Sequence, residues 1–374
     1  MMKTSVTKEI TGENVYLNIN MANPLLSPIS IKAAFSQTLN QAIVDKPSDY
    51  NLILSRFSIP GTAIPIFIFK TLGYPATTDI NQGLYSVSIQ YNGSTTAQTY
   101  LEWIPLALVP PYVPVFSALQ PNQSNDDPYY FNYSYHNLAD MVTIAIRAAI
   151  TAGSGFLPGG TDAYMIYSDE AGFFSILGTQ GMYHSKDPTD PLNVRIFINT
   201  PLASLLTGFK FVHNGVNTAN GLDEAIIVQD NLNNSPTTQD GFNPNIPDGY
   251  YQVPQEFSAD SSLEKLTRIV VTSSAFGGVV PQSELSTLST SSYLPIIADF
   301  VPSASTMAGS YRSRFQYYAQ SEFFRRQLTQ SSPLVSIALH FYWQSLSDSD
   351  FHELYIYSGE VLSIQFIFEK KKNV

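Results

Sequence analysis

Chemistry at a protein site needs a few residue types at set spacings, and this chain supplies few of them. The five histidines, His136, His184, His213, His340 and His352, include no pair four residues apart, so no helical face carries two imidazoles for zinc. His340 and His352 flank a candidate hairpin, where they could meet across strands. The plain alternative is a half-buried ring beside Tyr342 and a loop histidine beside Phe351. Cysteine is absent, which removes thiol catalysis, disulfides and cysteine-ligated zinc together. No Gly-x-Ser-x-Gly elbow presents a nucleophilic serine. Gly153-Ser154-Gly155 and Gly159-Gly160 come nearest to a phosphate cradle, but they follow a helical pattern and no Gly-Lys-Ser/Thr occurs; a flexible loop is the simpler reading.

Paired carboxylates are the remaining option. Asp126, Asp127, Asp169, Glu170, Asp348 and Asp350 would be a glycosidase's candidates, yet most sit among Asn, Pro and Ser, where aspartate makes turns. Asp348-Ser349-Asp350 begins a calcium-like alternation without the later ligands. No catalytic, cofactor-binding or metal-binding residue is therefore assigned, and the chain reads as a non-enzyme with no cofactor.

Composition narrows the classes further. The 374 residues are 44% apolar and only 13% charged, about half the charged share of an average globular protein. The polar surface must come from Ser, Thr, Asn, Gln and Tyr. With 23 Tyr, 23 Phe and 2 Trp the chain is too aromatic for a disordered polymer. A net charge of −11 opposes phosphate backbones, so nucleic acid is not an expected partner, except locally through Lys370, Lys371 and Lys372. Residues 1–10 lack the apolar run of a signal peptide, and no stretch approaches the roughly 20 apolar residues that span a bilayer. The expectation is a chain that folds in the cytosol, with unglycosylated sequons at Asn92, Asn122, Asn132 and Asn233.

The elements that must position any site are mostly strands. Tyr85, Val87, Ile89 and Tyr91 alternate with Ser86, Ser88 and Gln90 before Asn92-Gly93, which predicts a half-buried strand entering a hairpin turn. The same period runs through Val15, Leu17 and Ile19, through Val335, Ile337, Leu339 and Phe341, and through Leu362, Ile364, Phe366 and Phe368. Apolar runs at 52–54, 194–198 and 269–271 predict strands covered on both faces. One amphipathic helix is predicted over 137–152, from Leu138, Met141, Val142, Ala145, Ile146 and Ala149, with Asn137 as its cap. A short one is predicted over 201–207, capped by Thr200 and closed by Gly208. Residues 31–44 fit helix or strand.

These pieces predict a mainly β chain: a flexible arm over 1–12, a β region over 13–118, a middle region over 119–255 with the helices and a long polar loop at 231–248, and a second β region over 256–374. Two antiparallel sandwiches, or one sandwich with a large insertion, fit that order.

One segment concentrates the residue types that dominate interfaces: Tyr311, Arg312, Arg314, Phe315, Tyr317, Tyr318, Phe323, Phe324, Arg325 and Arg326. A second aromatic stretch holds Tyr129, Tyr130, Phe131, Tyr133 and Tyr135, with no Lys or Arg that would hold a nucleic acid against its rings. The first segment, with Tyr129, Tyr130 and Tyr133, is the candidate surface for subunit contact.

Beyond these readings, the string Asp-Tyr-Asn-Leu-Ile-Leu-Ser-Arg-Phe-Ser-Ile-Pro at 49–60 with Ile64-Pro65 after it, and the segments 194–209 and 314–343, resemble jelly-roll minor capsid or penton proteins of icosahedral double-stranded DNA viruses, including virophage-like and Polinton-like elements. That resemblance implies a jelly-roll β-sandwich acting as a minor capsid or vertex protein. It also implies homo-oligomers, as pentamers at a vertex, contacts with other capsid proteins, and residence in a virion assembled in the host cytosol or a viral factory. A double jelly-roll major capsid protein, a carbohydrate- or receptor-binding module and a glycoside hydrolase are the alternatives.

Overall fold

The computed structural model describes residues 3–24, 30–60, 66–68, 85–102, 131–132, 135–168, 171–185, 187, 190–216, 223–227, 247, 249–258, 263, 266–276, 282–287, 290–300, 315–318, 325–345 and 351–372. The chain divides into two compact units, one of residues 1–64, 108–112 and 265–374, the other of residues 65–107 and 113–264.

Eight of the described strands of the first unit form its two main sheets: β1 (Asn14–Ala22), β2 (Ala34–Thr38), β3 (Tyr50–Ile59), β4 (Leu266–Thr272), β5 (Thr290–Phe300), β6 (Phe315–Tyr318), β7 (Ser336–Ser345) and β8 (Val361–Lys370). In one sheet β1 pairs with β8, β8 with β3 and β3 with β6. In the other β2 pairs with β7, β7 with β4 and β4 with β5, and every pair is antiparallel. First partners last, second seventh, third sixth and fourth fifth. That nesting is the wiring of a jelly roll, a ribbon of paired strands wrapped into two sheets. Each of the two β regions expected at 13–118 and 256–374 supplies strands to both sheets of this one sandwich. The second unit, residues 65–107 and 113–264, falls in the sequence between β3 and β4, as an insertion into the roll.

Alternation decides which side chains fill the roll. Val15, Leu17, Ile19 and Met21 on β1, and Leu362, Ile364, Phe366 and Phe368 on β8, are all buried. Fully burying each such side chain contributes about 1.5–3 kcal/mol. Phe57 joins the sheets: its ring centroid lies 5.0 Å from Phe300 on β5 and 5.8 Å from Phe341 on β7. Along β3 the inward phase changes midway. Gln365 pairs with Arg56 and Phe366 with Leu54, which leaves Ser55 as an extra residue. Leu52 and Leu54 face inward before this bulge, and Phe57 and Ile59 after it. The Ser55 hydroxyl fills the gap, lying 2.9 Å from Gln365 Oε1 and 3.2 Å from Gln365 O.

The region expected as an arm over 1–12 is instead mostly a strand, Lys3–Thr11, paired with β1. Gly12, with φ of 62°, opens the two-residue turn between them. Within 31–44 the chain is strand in Ser30–Lys32 and β2 and irregular from 39 to 43, with no helix.

In the second unit the helix Tyr135–Ala152 buries Leu138, Met141, Val142, Ala145, Ile146 and Ala149, the face its period marks out. They pack with Val87, Ile89, Met165, Ile196 and Ile198. The helix begins two residues before the expected start, so Asn137 is a buried residue of its first turn and not a cap. The short helix is Thr200–Leu205, and its cap is Asn199, whose side-chain oxygen accepts from Leu202 N–H at 3.2 Å. The same oxygen accepts from Ser86 N–H at 3.1 Å, which ties the cap to the strand Ser86–Tyr91. That strand was expected half-buried; its start is covered on both faces, with Ser86 1% and Ser88 2% exposed. Asn92 and Gly93 both have positive φ, 47° and 78°, as the tight hairpin turn requires. Except for Pro247, the polar loop at 231–248 lies outside the described residues.

Candidate assembly surfaces

The described parts of the aromatic and arginine-rich segment, β6 and residues 325–326, lie at the end of one sheet of the roll among the described residues. β6 lies along β3 with Tyr317 opposite Phe57 and Tyr318 opposite Arg56. Alternation then splits the two tyrosines. Tyr317 stacks on Phe300 at 4.4 Å, and its hydroxyl pKa is raised by burial and by the charge of Asp299. Tyr318 is 63% exposed, with its hydroxyl donating to Gln316 Oε1 at 3.0 Å. Tyr317 is therefore half-buried and packed on the core ring Phe300, and Tyr318 is the one available to a neighbour.

The arginines divide similarly. Arg325 makes a two-pronged ion pair with Glu369 on β8, Nε to Oε2 at 2.6 Å and Nη2 to Oε1 at 3.1 Å. Its role here is to hold the segment after β6 against the sheet. Arg326 pairs in register with Leu52, and its Nε is buried with no partner among the described residues. That enclosed nitrogen is not itself open to a neighbour, but the Arg326 side chain is only half-buried and makes no ion pair among the described residues, so Arg326 and Tyr318 are the described members of the segment with capacity to spare. Phe315 is placed as a member of β6. Tyr311, Arg312, Arg314, Phe323, Phe324, Tyr129, Tyr130 and Tyr133 lie outside the described residues. Tyr135, from the second aromatic stretch, is buried and stacks on Tyr167 at 4.6 Å within the insertion.

The basic tail is not a free arm. Lys370 Nζ pairs with Glu13 Oε1 at 2.7 Å, which raises the lysine pKa, and Lys371 Nζ donates to Ser48 O at 2.6 Å.

The histidines do not assemble a site either. His352 is buried and stacks on Trp343 at 4.4 Å, the residue opposite it in register, while His340 is exposed. Among the described residues no three or more His, Asp or Glu side chains cluster as a metal site. Asp126, Asp127, Asp169, Glu170, Asp348 and Asp350 lie outside the described residues. No described helix is long and apolar enough to cross a membrane.

Two polar constellations carry no motif that the sequence could announce. Asp162 accepts both Arg147 prongs at 3.0 Å and the Tyr250 hydroxyl at 2.9 Å, and the Arg147 bond chiefly holds its carboxyl below the ordinary range. Asp190 accepts from Ser185 Oγ at 2.6 Å, lies 2.9 Å from His184 Nδ1, and accepts from Leu192 N–H at 2.9 Å. Both brace local structure, joining helix to strand and closing a loop.

Comparison with known proteins agrees with the roll. The family model of the Sputnik minor capsid protein V18/19 matches residues 15–370, which takes in both units. An uncharacterized protein V18 of Sputnik virophage is 38% identical over 133 residues, 35% of this chain and 77% of that protein. A chain of the Sputnik virophage particle, determined by cryo-EM, superposes with a TM-score of 0.71 at 25% identity, covering 99% of this chain and 98% of its own. The mavirus penton protein shares the fold, with a TM-score of 0.60 at 12% identity over 96% of this chain and 100% of its own.

Proposed function

We propose, from the fact that this chain belongs to the Sputnik minor capsid protein V18/19 family, that it forms the five-fold vertex of an icosahedral shell. As a member of that family it is a structural protein of a virus capsid and a component of the virion. The observation that carries the vertex reading is the single roll. With one sandwich per chain, a closed ring of five copies sets one sandwich at each of the five positions around the axis. The described strands wire one roll, and the insertion is built around a helix packed on sheets.

The chain acts through contact with copies of itself and with other shell proteins, and transforms no substrate. The segment 311–326, with Tyr318 and Arg326 as its described contacts, is the proposed surface between neighbouring copies, and Tyr129, Tyr130 and Tyr133 are a second one. A charge-poor surface rich in Ser, Thr, Asn and Tyr suits such contacts, because little charge is desolvated when they form. On this reading, assembly takes place in the host cytosol or a viral factory.

The test is stoichiometry. Quantitative mass spectrometry of purified particles, with cryo-EM of the vertices, is expected to find about five copies per vertex. Density for this chain in the six-fold positions, or an abundance matching the major shell protein, overturns the vertex reading.

A further inference from the structure

The strand Lys3–Thr11 pairs with β1 on one side and is the last strand of its sheet among the described residues. Its nine residues are mostly exposed, Ile10 to 63%. A long open edge of this kind is a template for another strand. The hairpin fixes which backbone groups are on offer. Thr11 and Asn14 flank the two-residue turn, so they exchange hydrogen bonds. Alternation along the ladder then turns the N–H and C=O groups of Thr4, Val6, Lys8 and Ile10 outward.

We infer that this edge is a homophilic contact, in which two copies of the chain pair antiparallel along Lys3–Thr11 about a two-fold axis at Val6. With Val6 opposite the same residue of the second copy, Thr4 falls opposite Lys8, and the outward groups of all three residues meet counterparts. On the other face the same register sets Lys3 opposite Glu9 twice. Both residues are exposed, and opposite charges directly across a ladder favour the pairing. Centring on Thr4 or Lys8 instead loses both charge pairs, and centring on Lys8 sets two lysines against each other. The Lys8 ammonium is already engaged, donating to Ala42 O at 2.8 Å. An isologous contact closes at two copies and cannot lie between neighbours within a ring of five, so this pairing joins chains outside one ring and is read separately from the vertex assignment.

The absence of cysteine makes the test clean. In the purified full chain, Val6→Cys introduces a single thiol whose Cα lies about 5.5 Å from its counterpart's, inside the range of about 4.4–6.8 Å that a disulfide spans. Mild oxidation is expected to give a covalent dimer. Ile10→Cys is the control: its counterpart lies eight residues away along the strand, about 26 Å, and no cross-link is expected. Adding Glu9→Lys to Val6→Cys should abolish the dimer, and adding Lys3→Glu to both should restore it. Sedimentation of the chain without introduced cysteine, with and without Glu9→Lys, reads the same contact if the thiol variants fold poorly. The inference is overturned if Val6→Cys stays monomeric with native circular dichroism, if Ile10→Cys cross-links equally, if the charge swap fails to restore pairing, or if sedimentation ignores Glu9→Lys.

Discussion

Thr143 on the helix Tyr135–Ala152 serves both backbone groups of Met165: its Oγ accepts from Met165 N–H at 2.9 Å and donates to Met165 C=O at 3.1 Å. Met165 lies in Ala163–Ser168, the outer strand of a three-stranded sheet. A helix side chain thus occupies an edge position that another strand could otherwise take. The Lys3–Thr11 edge has no such cover among the described residues, and this contrast singles it out as a contact surface.

Thr143→Val keeps the shape of the side chain and removes both bonds. Two groups of Met165 are then left without their partner, and the expected loss is about 1–3 kcal/mol. Chemical denaturation measures it. Thr143→Ser, which keeps the hydroxyl, should recover most of the loss; equal destabilisation by Ser and Val would assign the effect to methyl packing.

Ser55 is the extra residue of the β3 bulge. Deleting it makes Leu54 and Arg56 consecutive opposite Phe366 and Gln365, so the ladder becomes regular and Phe57 and Ile59 keep facing inward. The deletion is therefore expected to leave soluble folded protein, whereas Ser55→Ala keeps the bulge and costs about 0.5–1.5 kcal/mol through the lost hydrogen bonds. Soluble yield, near-ultraviolet circular dichroism and chemical denaturation measure the two. A deletion variant that fails to fold would mean that β3 needs the bend of the bulge.

Arg325 and Arg326 should behave differently. The side chains of Arg325 and Glu369 are 43% and 30% exposed, so solvent screening limits their pair to about 0.2–1 kcal/mol. Arg325→Ala is expected to move the melting temperature slightly and leave oligomer formation intact. Arg326→Ala and Tyr318→Ala should weaken oligomers with little change in melting. Native mass spectrometry beside thermal melts checks the split, and the reverse pattern would move the contact surface elsewhere.

Asp190 gives a pH dependence. Hydrogen bonds from Ser185, then His184, then Leu192 N–H hold its carboxyl at about 2, below about 3.9 for an unperturbed aspartate. A depressed folded pKa means that the ionised form supports the loop at 184–193 fully above about pH 4, and that this support is lost as pH falls toward 2. Hydrogen exchange in that loop, corrected for intrinsic rates, should therefore hold steady from pH 7 to about 4 and loosen below. Asp190→Asn should remove the acid step. A loop that loosens between pH 7 and 5 contradicts this assignment.

Local features were legible from the sequence. Alternation at Leu362, Ile364, Phe366 and Phe368 gave a strand, and the 3.6 period from Leu138 to Ala149 gave a helix with the right buried face, because periodicity is a property of neighbouring residues. The family strings at 49–60, 194–209 and 314–343 lie inside the region that the family model matches. Helix ends were less secure: Asn199 displaced Thr200 as a cap because its side chain also meets Ser86, a residue 113 positions away.

Partners were what only the tertiary structure decided. Val15 pairs with Phe368 across nearly the whole chain, and nothing in either strand names the other. Their pairing follows from closing one sandwich around a shared apolar interior, a cooperative choice among all eight strands. The same holds for the surface. Tyr317 and Tyr318 are adjacent and alike in type, yet the pleat sends one to Phe300 and the other to solvent. Composition announced a chain built for contacts; the register of β3 and its neighbours determined which side chains are left to make them.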